Sequence, residues 1–174
     1  MKLTTDRLLL LPLTHNQLEL YLQADNKLEE ELGLARAQRV IPQELAEAFQ
    51  ETILPAVADK SKNYLFTTLW TIISKEHNQM VADLCFKGEP TDKGQVEIGY
   101  GTYDAYQGKG YMTEAIKAIV TWAFSQPGVT AVLGETEKDN LASHRTLEKN
   151  TFVRYKQEEN MIWWRLDKNH FIQN

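Results

Sequence analysis

The sequence predicts a single α/β domain built around one mixed, mostly antiparallel sheet that is flanked by helices. Three observations lead to this prediction. Segments rich in β-branched and aromatic residues follow one another with short turns, an amphipathic helix comes after them, and a strand, a helix and a hairpin complete the chain. The chain has 174 residues, of which 43% are hydrophobic and 25% charged, which is typical of one globular domain spanning residues 1–174.

The first third of the chain predicts one strand and two helices. Residues 7–13 have the composition of a strand, and residues 16–24 place their apolar side chains on one helical face. Residues 25–33 are acidic and helical in propensity, and their pattern is ambiguous. Pro42 suits the first turn of a further helix, because its fixed φ and missing N–H cost nothing there. Pro55 should then kink or stop that helix.

The middle of the chain changes to the pattern of strands. Residues 64–74 and 80–86 are rich in β-branched and aromatic side chains, and a turn at His77 and Asn78 separates them. A glycine- and proline-containing turn leads to a third strand over residues 95–102. Consecutive strands joined by such short turns predict an antiparallel meander.

The second half begins with the clearest helix of the sequence. Its end is predicted by Pro127 and Gly128. A strand over 131–136, a helix over 140–149 and a hairpin of 152–156 with 161–166 complete the prediction. The apolar stripe of the helix that opens this half is formed by residues at spacings of three and four: Met112, Ala115, Ile116, Ile119, Val120, Ala123 and Phe124.

Composition excludes several classes of protein. The net charge of −5 argues against nucleic-acid binding, which depends on clustered Lys and Arg. A lone cysteine, Cys85, excludes an internal disulfide framework and a multi-cysteine zinc site, and the four histidines lack metal-ligand spacing. The longest apolar run, residues 8–11, is far short of the about 20 residues that span a membrane. With no secretory signal at its start, the sequence predicts a cytoplasmic protein without a metal ion or a membrane span.

A glycine-containing loop, QGKGYMT at residues 107–113, precedes the amphipathic helix. The first turn of a helix leaves backbone N–H groups without partners, and the helix dipole adds partial positive charge, so a phosphate group fits there. Gly108 and Gly110 would let these amides approach the phosphate oxygens. The same loop can also be an ordinary glycine turn. It is neither a P-loop, whose first glycine is replaced by Tyr103, nor a dinucleotide fingerprint, whose third glycine is replaced by Thr113.

Four segments together resemble the GNAT acetyltransferases. QVEIGYGT at 95–102 and YQGKGYMTEA at 106–115 resemble the acetyl-CoA-binding core of that family. TDRLLLLPL at 5–13 and NLASHRTLEKNTF at 140–152 resemble the opening strand and the late helix of its branch similar to the ribosomal-protein N-terminal acetyltransferases, the RimJ and RimL type. The resemblance implies a GNAT-like sheet and an acetyl-CoA cosubstrate.

The resemblance also assigns residues to the acetyl-CoA site. Three strand residues would line the pantetheine arm, and the backbone amides of the glycine loop would bind the pyrophosphate. Asn140 would contact the cosubstrate, and Ser143 would lie near its sulfur. Thr113 adds a hydroxyl in the first helical turn. The remaining residues implied are Tyr100, Gly101 and Thr102 for the arm, with Gln107, Gly108, Lys109, Gly110, Tyr111 and Met112 for the pyrophosphate.

Acetyl transfer to an amine needs a group that removes one proton, because an α-amine has a pKa near 8 and a lysine amine one near 10.4. Glu97 is the first candidate for this base and Glu135 the second; each is otherwise a solvated strand carboxylate. A strand N–H near Tyr100 would stabilise the oxyanion. Ser143 either protonates the leaving thiolate or serves only its own helix.

Four other side chains are given no catalytic role. Cys85 has no adjacent histidine in sequence and should be a buried, inert thiol. Ser143 and His144 point about 100° apart on a helix, so they cannot form a catalytic pair. Of Trp163 and Trp164, one ring should enter the core and the other should point outward.

The resulting functional hypothesis is an acetyl-CoA-dependent N-acetyltransferase that acts on a primary amine of a small molecule or a protein N-terminus. Direct attack in a ternary complex is preferred over a covalent enzyme intermediate. A non-catalytic acyl-CoA-binding module of the same fold and a nucleotide-binding regulatory domain stay open as alternatives. So does a homodimer formed through exposed sheet edges.

Overall fold

A computed structural model gives the structure of the chain and describes residues 1–172. Eight strands form one sheet with the spatial order β1-β2-β3-β4-β5-β6-β8-β7. All neighbours are antiparallel except the parallel pair β5 and β6, which confirms the predicted mixed, mostly antiparallel sheet. The strands are β1 (Leu3–Thr4), β2 (Leu8–Pro12), β3 (Leu69–Ser74), β4 (Gln79–Phe86), β5 (Gln95–Thr102), β6 (Ala131–Glu137), β7 (Val153–Glu158) and β8 (Met161–Asp167).

Helices cover both faces of this sheet, as predicted. No helix within residues 1–172 combines the length and the hydropathy needed to cross a bilayer. The segment 25–33, which was ambiguous in sequence, contains a short helix that ends at Gly33 in the left-handed conformation. The helices are α1 (His15–Gln23), α2 (Lys27–Leu32), α3 (Gln43–Ala48), α4 (Leu54–Ala58), α5 (Tyr111–Ser125), α6 (Leu141–Lys149) and α7 (Lys168–Ile172).

The parallel pair at the centre of the sheet separates halfway along its length. β5 pairs with β6 only from Gln95 to Ile98. Beyond that point β5 continues against β4 as far as Thr102, whereas β6 continues against β8 as far as Glu137. The two strands therefore diverge, and the last residues of β5 have no strand on one edge. This divergence opens a cleft in the middle of the sheet.

The two faces of the sheet have separate apolar cores. α5 packs on one face, where Ile116, Ile119 and Trp70 are fully buried in the larger cluster. The helices α1 to α4 cover β2, β3 and β4 on the other face, where Leu18 and Phe49 are fully buried. Because strand side chains alternate between faces, each residue of β5 belongs to one of these two environments. Burial of apolar surface on both faces stabilises the central strands most.

One predicted strand is shorter than expected. Residues 64–74 contain a 3₁₀ turn over Tyr64–Phe66, and β3 begins only at Leu69. The Asn63 side chain accepts a hydrogen bond from the Leu65 amide, and the Trp70 indole donates to the Leu65 carbonyl at 2.9 Å. These local hydrogen bonds favour a turn over a strand, although the composition favours a strand.

Pro55 does not stop the helix that precedes it. The chain stays helical from Gln43 through a π-helical turn, Phe49–Ile53, to Ala58. In this turn the Leu54 amide donates to the carbonyl five residues earlier, on Phe49. The wider turn shifts the hydrogen-bond pattern just where a proline ring would otherwise meet the preceding carbonyl.

Candidate active site

A cleft of about 560 Å³ lies where β5 and β6 diverge. One wall is the free end of β5, another is the glycine loop with the start of α5, and a third is one face of α6. Both helices direct their N-terminal ends toward it. The residues that line it are Tyr100, Gly101, Thr102, Tyr106, Gln107, Gly108, Gly110, Tyr111, Met112, Thr113, Asn140, Ala142, Ser143, Arg145, Thr146 and Lys149.

The glycine loop holds α5 with its first amides free. Gly108 and Gly110 have φ values of 74° and 77°, a left-handed conformation that side chains disfavour. Gly110 is the N-cap of α5 and offers no capping side chain. Within the described chain, the amides of Tyr111, Met112 and Thr113 donate no hydrogen bond to backbone or side chain. Free amides at a positive helix end form an anion-binding site.

An ion pair to the start of the chain fixes this loop. Arg7 donates to Glu114 at 2.6 Å and to the Lys109 carbonyl at 3.1 Å, and its guanidinium lies 5.0 Å from the Tyr111 ring centroid. The Thr5 hydroxyl donates to the same carboxylate at 2.6 Å. Although partial burial opposes it, these hydrogen bonds hold the pKa of Glu114 below its usual range. The loop is thereby held to the β1–β2 turn.

The α6 wall joins two of the predicted residues. Asn140 caps the helix by accepting a hydrogen bond from the Ser143 amide at 3.1 Å. The Tyr100 hydroxyl is buried beside Ser143 and has no hydrogen-bond partner of ordinary geometry among the described residues. Burial raises the pKa of Tyr100 to about 12, and the neighbouring Ser143 offsets part of that rise. An unpaired buried hydroxyl at the cleft is a polar group available to a ligand.

Eleven of the thirteen predicted site residues line this cleft, and two do not. Lys109 is exposed and places its ammonium 4.9 Å from the Tyr106 ring centroid. Glu97 lies farther back on β5, on the face opposite α5. Its carboxylate forms an ion pair with Lys87, whose ammonium also lies 3.3 Å from Glu135. The two candidate bases therefore share one cation.

Two cations in the cleft wall were not among the predicted site residues. Arg145 and Lys149 stand one helical turn apart on α6, and both line the cleft. Neither forms an ion pair within the described part of the chain, so both charges are available to an anionic ligand. Their spacing of four residues predicts that both lie on one face of the helix, but the sequence does not show that this face lines the cleft.

Of the four side chains given no catalytic role, three lie as expected, whereas Cys85 is less buried than predicted. Cys85 is half-buried, and burial of its thiol raises its pKa. His144 is buried, and its Nε2 lies 2.9 Å from the Glu137 carbonyl instead of near Ser143. Trp164 is fully buried, whereas Trp163 is half-buried, with the Lys156 ammonium 4.5 Å from its ring centroid.

A second group of polar residues is buried between α1 and β4. The hydroxyls of Tyr21 and Tyr103 each donate to the same oxygen of Asp83 at 2.7 Å, and Asp83 is only 7% exposed. Burial raises the pKa of Asp83 to about 6, although the two hydroxyl hydrogen bonds act in the opposite direction. Nearby, the buried side chains of Arg39 and Glu29 form an ion pair. No sequence motif indicated this cluster.

The raised pKa of Asp83 makes stability depend on pH. Because it lies above the ordinary value of 3.8, the folded chain binds more protons than the unfolded chain between about pH 4 and pH 6, so stability falls as pH rises through that window. Asp83→Asn removes this dependence. The unfolding free energy of the variant minus that of the parent should therefore increase by about 3 kcal/mol from about pH 4 to about pH 7. Urea unfolding at both pH values measures this, and parallel pH curves would contradict it.

Together, the free helix N-terminus and the open strand edge define a domain that can bind an elongated, anionic ligand. A family model of the acetyltransferase (GNAT) domain matches residues 7–153. Since this match covers most of the chain, the protein belongs to the GNAT acetyltransferase family. The resemblance seen in the sequence is confirmed.

Two curated proteins illustrate the similarity in sequence. The uncharacterized N-acetyltransferase YjdG of Bacillus subtilis is 36% identical over 95 residues, which cover 54% of this chain and 56% of that protein. The uncharacterized N-acetyltransferase p20 of Bacillus licheniformis is 25% identical over 83 residues, which cover 48% of this chain and 47% of that protein. The chain therefore spans about half the length of the curated relatives it matches.

Solved structures show the shared fold. A RimL ribosomal L7/L12 α-N-protein acetyltransferase in complex with coenzyme A is 16% identical, with a TM-score of 0.67 over 96% of this chain and 98% of that chain. A ribosomal-protein-S5-alanine acetyltransferase from Vibrio fischeri is 12% identical, with a TM-score of 0.67 over 98% of each chain. A GNAT-family acetyltransferase from Bacillus anthracis is 18% identical, with a TM-score of 0.63 over 97% and 99%.

Proposed function

We propose that this protein transfers an acetyl group from acetyl-CoA to a primary amine, by direct attack in a ternary complex. The observation that carries the proposal is the cleft between β5 and β6, which combines an unpaired strand edge with free amides at the start of α5. The first feature suits an extended arm and the second suits a pyrophosphate. Coenzyme A in the RimL structure of similar fold supports the same ligand class.

Different residues along the cleft bind different parts of acetyl-CoA. The amides of residues 107–112, with the Thr113 hydroxyl, bind the pyrophosphate, and Lys109 adds positive charge at the loop. Tyr100, Gly101 and Thr102 hold the pantetheine arm like an added strand. Asn140 keeps α6 in place and contacts the cosubstrate. No metal ion is needed for these contacts.

Acetyl-CoA supplies an activated thioester, and this chain supplies the proton transfers. Glu97 accepts the amine proton through water, with Glu135 as the second candidate. A β5 amide near Tyr100 stabilises the developing oxyanion, since a strand edge without a partner leaves donors free. Ser143 donates a proton toward the leaving thiolate, and the buried Tyr100 hydroxyl beside it is placed to restore that proton.

One observation favours a non-catalytic acyl-CoA-binding module instead. The Lys87 ammonium already pairs with both Glu97 and Glu135, so both candidate bases are engaged in a structural ion pair. Turnover distinguishes the two functions, because both of them bind acetyl-CoA. The net charge of −5 supports an amine-bearing partner over a nucleic acid, and we propose the cytoplasm as the compartment.

Calorimetry and a thiol-release assay test the proposed function. Acetyl-CoA should bind, and NAD and ATP should bind much more weakly, because the cleft offers an open strand edge for an extended arm. A panel of primary amines, including protein N-terminal peptides and small amines, should release CoA thiol. Absence of CoA binding at millimolar concentration would refute the proposal, and tight binding without turnover on any amine would support the non-catalytic module.

Arg145 and Lys149 should contribute to acetyl-CoA affinity. Removing both cations with Arg145→Ala and Lys149→Ala should weaken binding about tenfold, since a charge-assisted contact to phosphate contributes about 1.5–3 kcal/mol when buried and less when exposed. Arg154→Ala is the matched control, because Arg154 is an exposed arginine already paired with Glu148. Isothermal calorimetry at two salt concentrations measures the effect. Equal affinities of the double variant and the control would exclude these cations from the site.

A further inference from the structure

Asp83 is a buried carboxylate whose two oxygens are unequally hydrogen-bonded. Two hydroxyl groups, those of Tyr21 and Tyr103, donate to one oxygen, Oδ2. The Thr71 hydroxyl also interacts with this carboxylate, but the other oxygen, Oδ1, is buried without a hydrogen bond of ordinary geometry among the described residues. A buried, incompletely satisfied carboxylate destabilises a fold, so its presence points to a role in binding.

The groups around Asp83 leave it with net negative charge. The charged neighbours are Arg39, from the segment after α2, and Glu29 on α2, and these two form an ion pair with each other. Arg39 also lies 4.6 Å from the centroid of the Tyr21 ring. The uncharged neighbours are Thr71 on β3 and Cys85, which lies two residues after Asp83 on β4. With Arg39 balanced by Glu29, the charge of Asp83 has no cation of its own.

The strand beside Asp83 is open on the same face. Asp83 is the cross-strand partner of Gly101 on β5, so its side chain points to the face where Gly101 has none. A Cβ added at Gly101 would meet no atom within 4 Å, and Gly101 is exposed. Gly99, two residues earlier, also lacks a side chain on this face, and a Cβ added there would meet the Cys85 Sγ at 3.6 Å. Neither glycine therefore places a side chain of β5 between the diverging strands and the Asp83 network.

Tyr103 connects this face of β5 to the buried carboxylate. Tyr103 follows β5 directly and is half-buried, whereas Tyr21 is 2% exposed. Burial, with the nearby Asp83 carboxylate, raises the pKa of Tyr103 far above its usual value, so the hydroxyl keeps its proton. That proton is donated to Asp83, and the Tyr103 oxygen can therefore only accept a hydrogen bond from another group. A cationic donor suits this position best, because the Asp83 charge lies directly behind it.

We propose that Tyr103, supported by Asp83, binds a second ammonium group of the acceptor, so that the acceptor is a diamine or a peptide with a basic side chain near its reacting amine. The inference rests on the proposed acetyl transfer. Gly99 lies at the point where β5 and β6 diverge, and Gly101 lies two residues on, which corresponds to about 7 Å at about 3.3 Å per residue. The second charge is therefore expected about that far from the reacting nitrogen.

Matched acceptors test the proposal. Putrescine carries two amines on a four-carbon chain, and butylamine is its counterpart with one amine. We expect kcat/KM of the parent to be at least tenfold higher for putrescine, chiefly through KM, because only putrescine reaches Tyr103. A dipeptide amide with lysine in the second position, compared with one that has norleucine there, separates a peptide acceptor from a small diamine.

Two variants, each of which removes one of the two tyrosine hydrogen bonds to Asp83 Oδ2, separate binding from structure. Tyr103→Phe should abolish the preference for putrescine. Tyr21→Phe removes the other hydroxyl that donates to Asp83 Oδ2, but Tyr21 is buried, so this variant should retain the preference. Asp83→Asn should abolish the preference as well. In the parent the preference should fall as pH drops through about 6, where Asp83 becomes protonated, and this pH dependence should be absent in Asp83→Asn.

Three outcomes would overturn the proposal. Equal kcat/KM for the two members of both acceptor pairs in the parent would exclude a second cation site. Equal preference in Tyr103→Phe and Tyr21→Phe would assign the network to stability alone. A parent that binds acetyl-CoA but acetylates no amine would refute the proposed function itself. In that case calorimetry can measure the binding of putrescine and of butylamine to the CoA-saturated protein without turnover. Equal affinities for the two amines would refute the second cation site as well.

Discussion

Gly110→Asp should reduce acetyl-CoA affinity by more than a hundredfold while the protein stays folded. Gly110 has a φ of 77° and caps α5, so a side chain there stands beside the free amides of the first turn. A carboxylate would both block the approach of a pyrophosphate and repel it. The nearest atom to the new Cβ would be the Arg7 guanidinium at 3.6 Å, which can pair with the carboxylate and limit the loss of stability.

Gly33→Asp is the matched control for this experiment. Gly33 has a φ of 68° at the end of α2, and a Cβ added there meets nothing within 4 Å. Both substitutions therefore impose a similar left-handed strain, about 1–2 kcal/mol, but only one lies in the cleft. Calorimetry with acetyl-CoA and thermal unfolding should be run on both. Unchanged affinity in a folded Gly110→Asp variant would show that the loop is only a turn.

Glu97→Gln should lower turnover by about a hundredfold, within the range of about 10²–10⁴ that a general base contributes, and leave acetyl-CoA affinity unchanged. The deficit should shrink as pH rises, because a larger fraction of the acceptor amine is then already neutral. Lys87 keeps its second partner, Glu135, so the local ion pairing survives the change. Initial rates across pH 6 to 9 at saturating acetyl-CoA measure this.

The control for Glu97 is a carboxylate on the same face of the sheet that forms no ion pair with Lys87 or another cation among residues 1–172. Glu137→Gln removes an exposed charge from the end of β6 and should leave the pH–rate profile intact. Glu135→Gln tests the second candidate under the same conditions. If Glu97→Gln turns over like the parent and Glu135→Gln does not, the base is Glu135. If neither variant changes, water takes the proton and both carboxylates serve only to hold Lys87.

Much of the candidate site could be predicted because its parts are local. The glycine loop and the stripe of α5 are encoded within about twenty consecutive residues, where turn chemistry and a period of 3.6 decide the conformation. Asn140 is a residue type that suits a helix N-cap, and it caps α6 in the structure. In contrast, the strand predicted over 64–74 is too long, because the hydrogen bond to Asn63 outweighs β propensity there.

The class of fold, the family and the loop that faces the cleft can be predicted from the amino-acid sequence, because they depend on neighbours in the chain. The contacts between distant segments depend on the folded structure. Arg7 meets Glu114 across 107 positions, and Tyr21 meets Asp83 across 62. Lys87 joins Glu97 to Glu135 only because β5 and β6 run parallel and then diverge. Charge pairing and burial act through space, and no period or motif in the sequence records which distant side chains the sheet brings within a few ångströms.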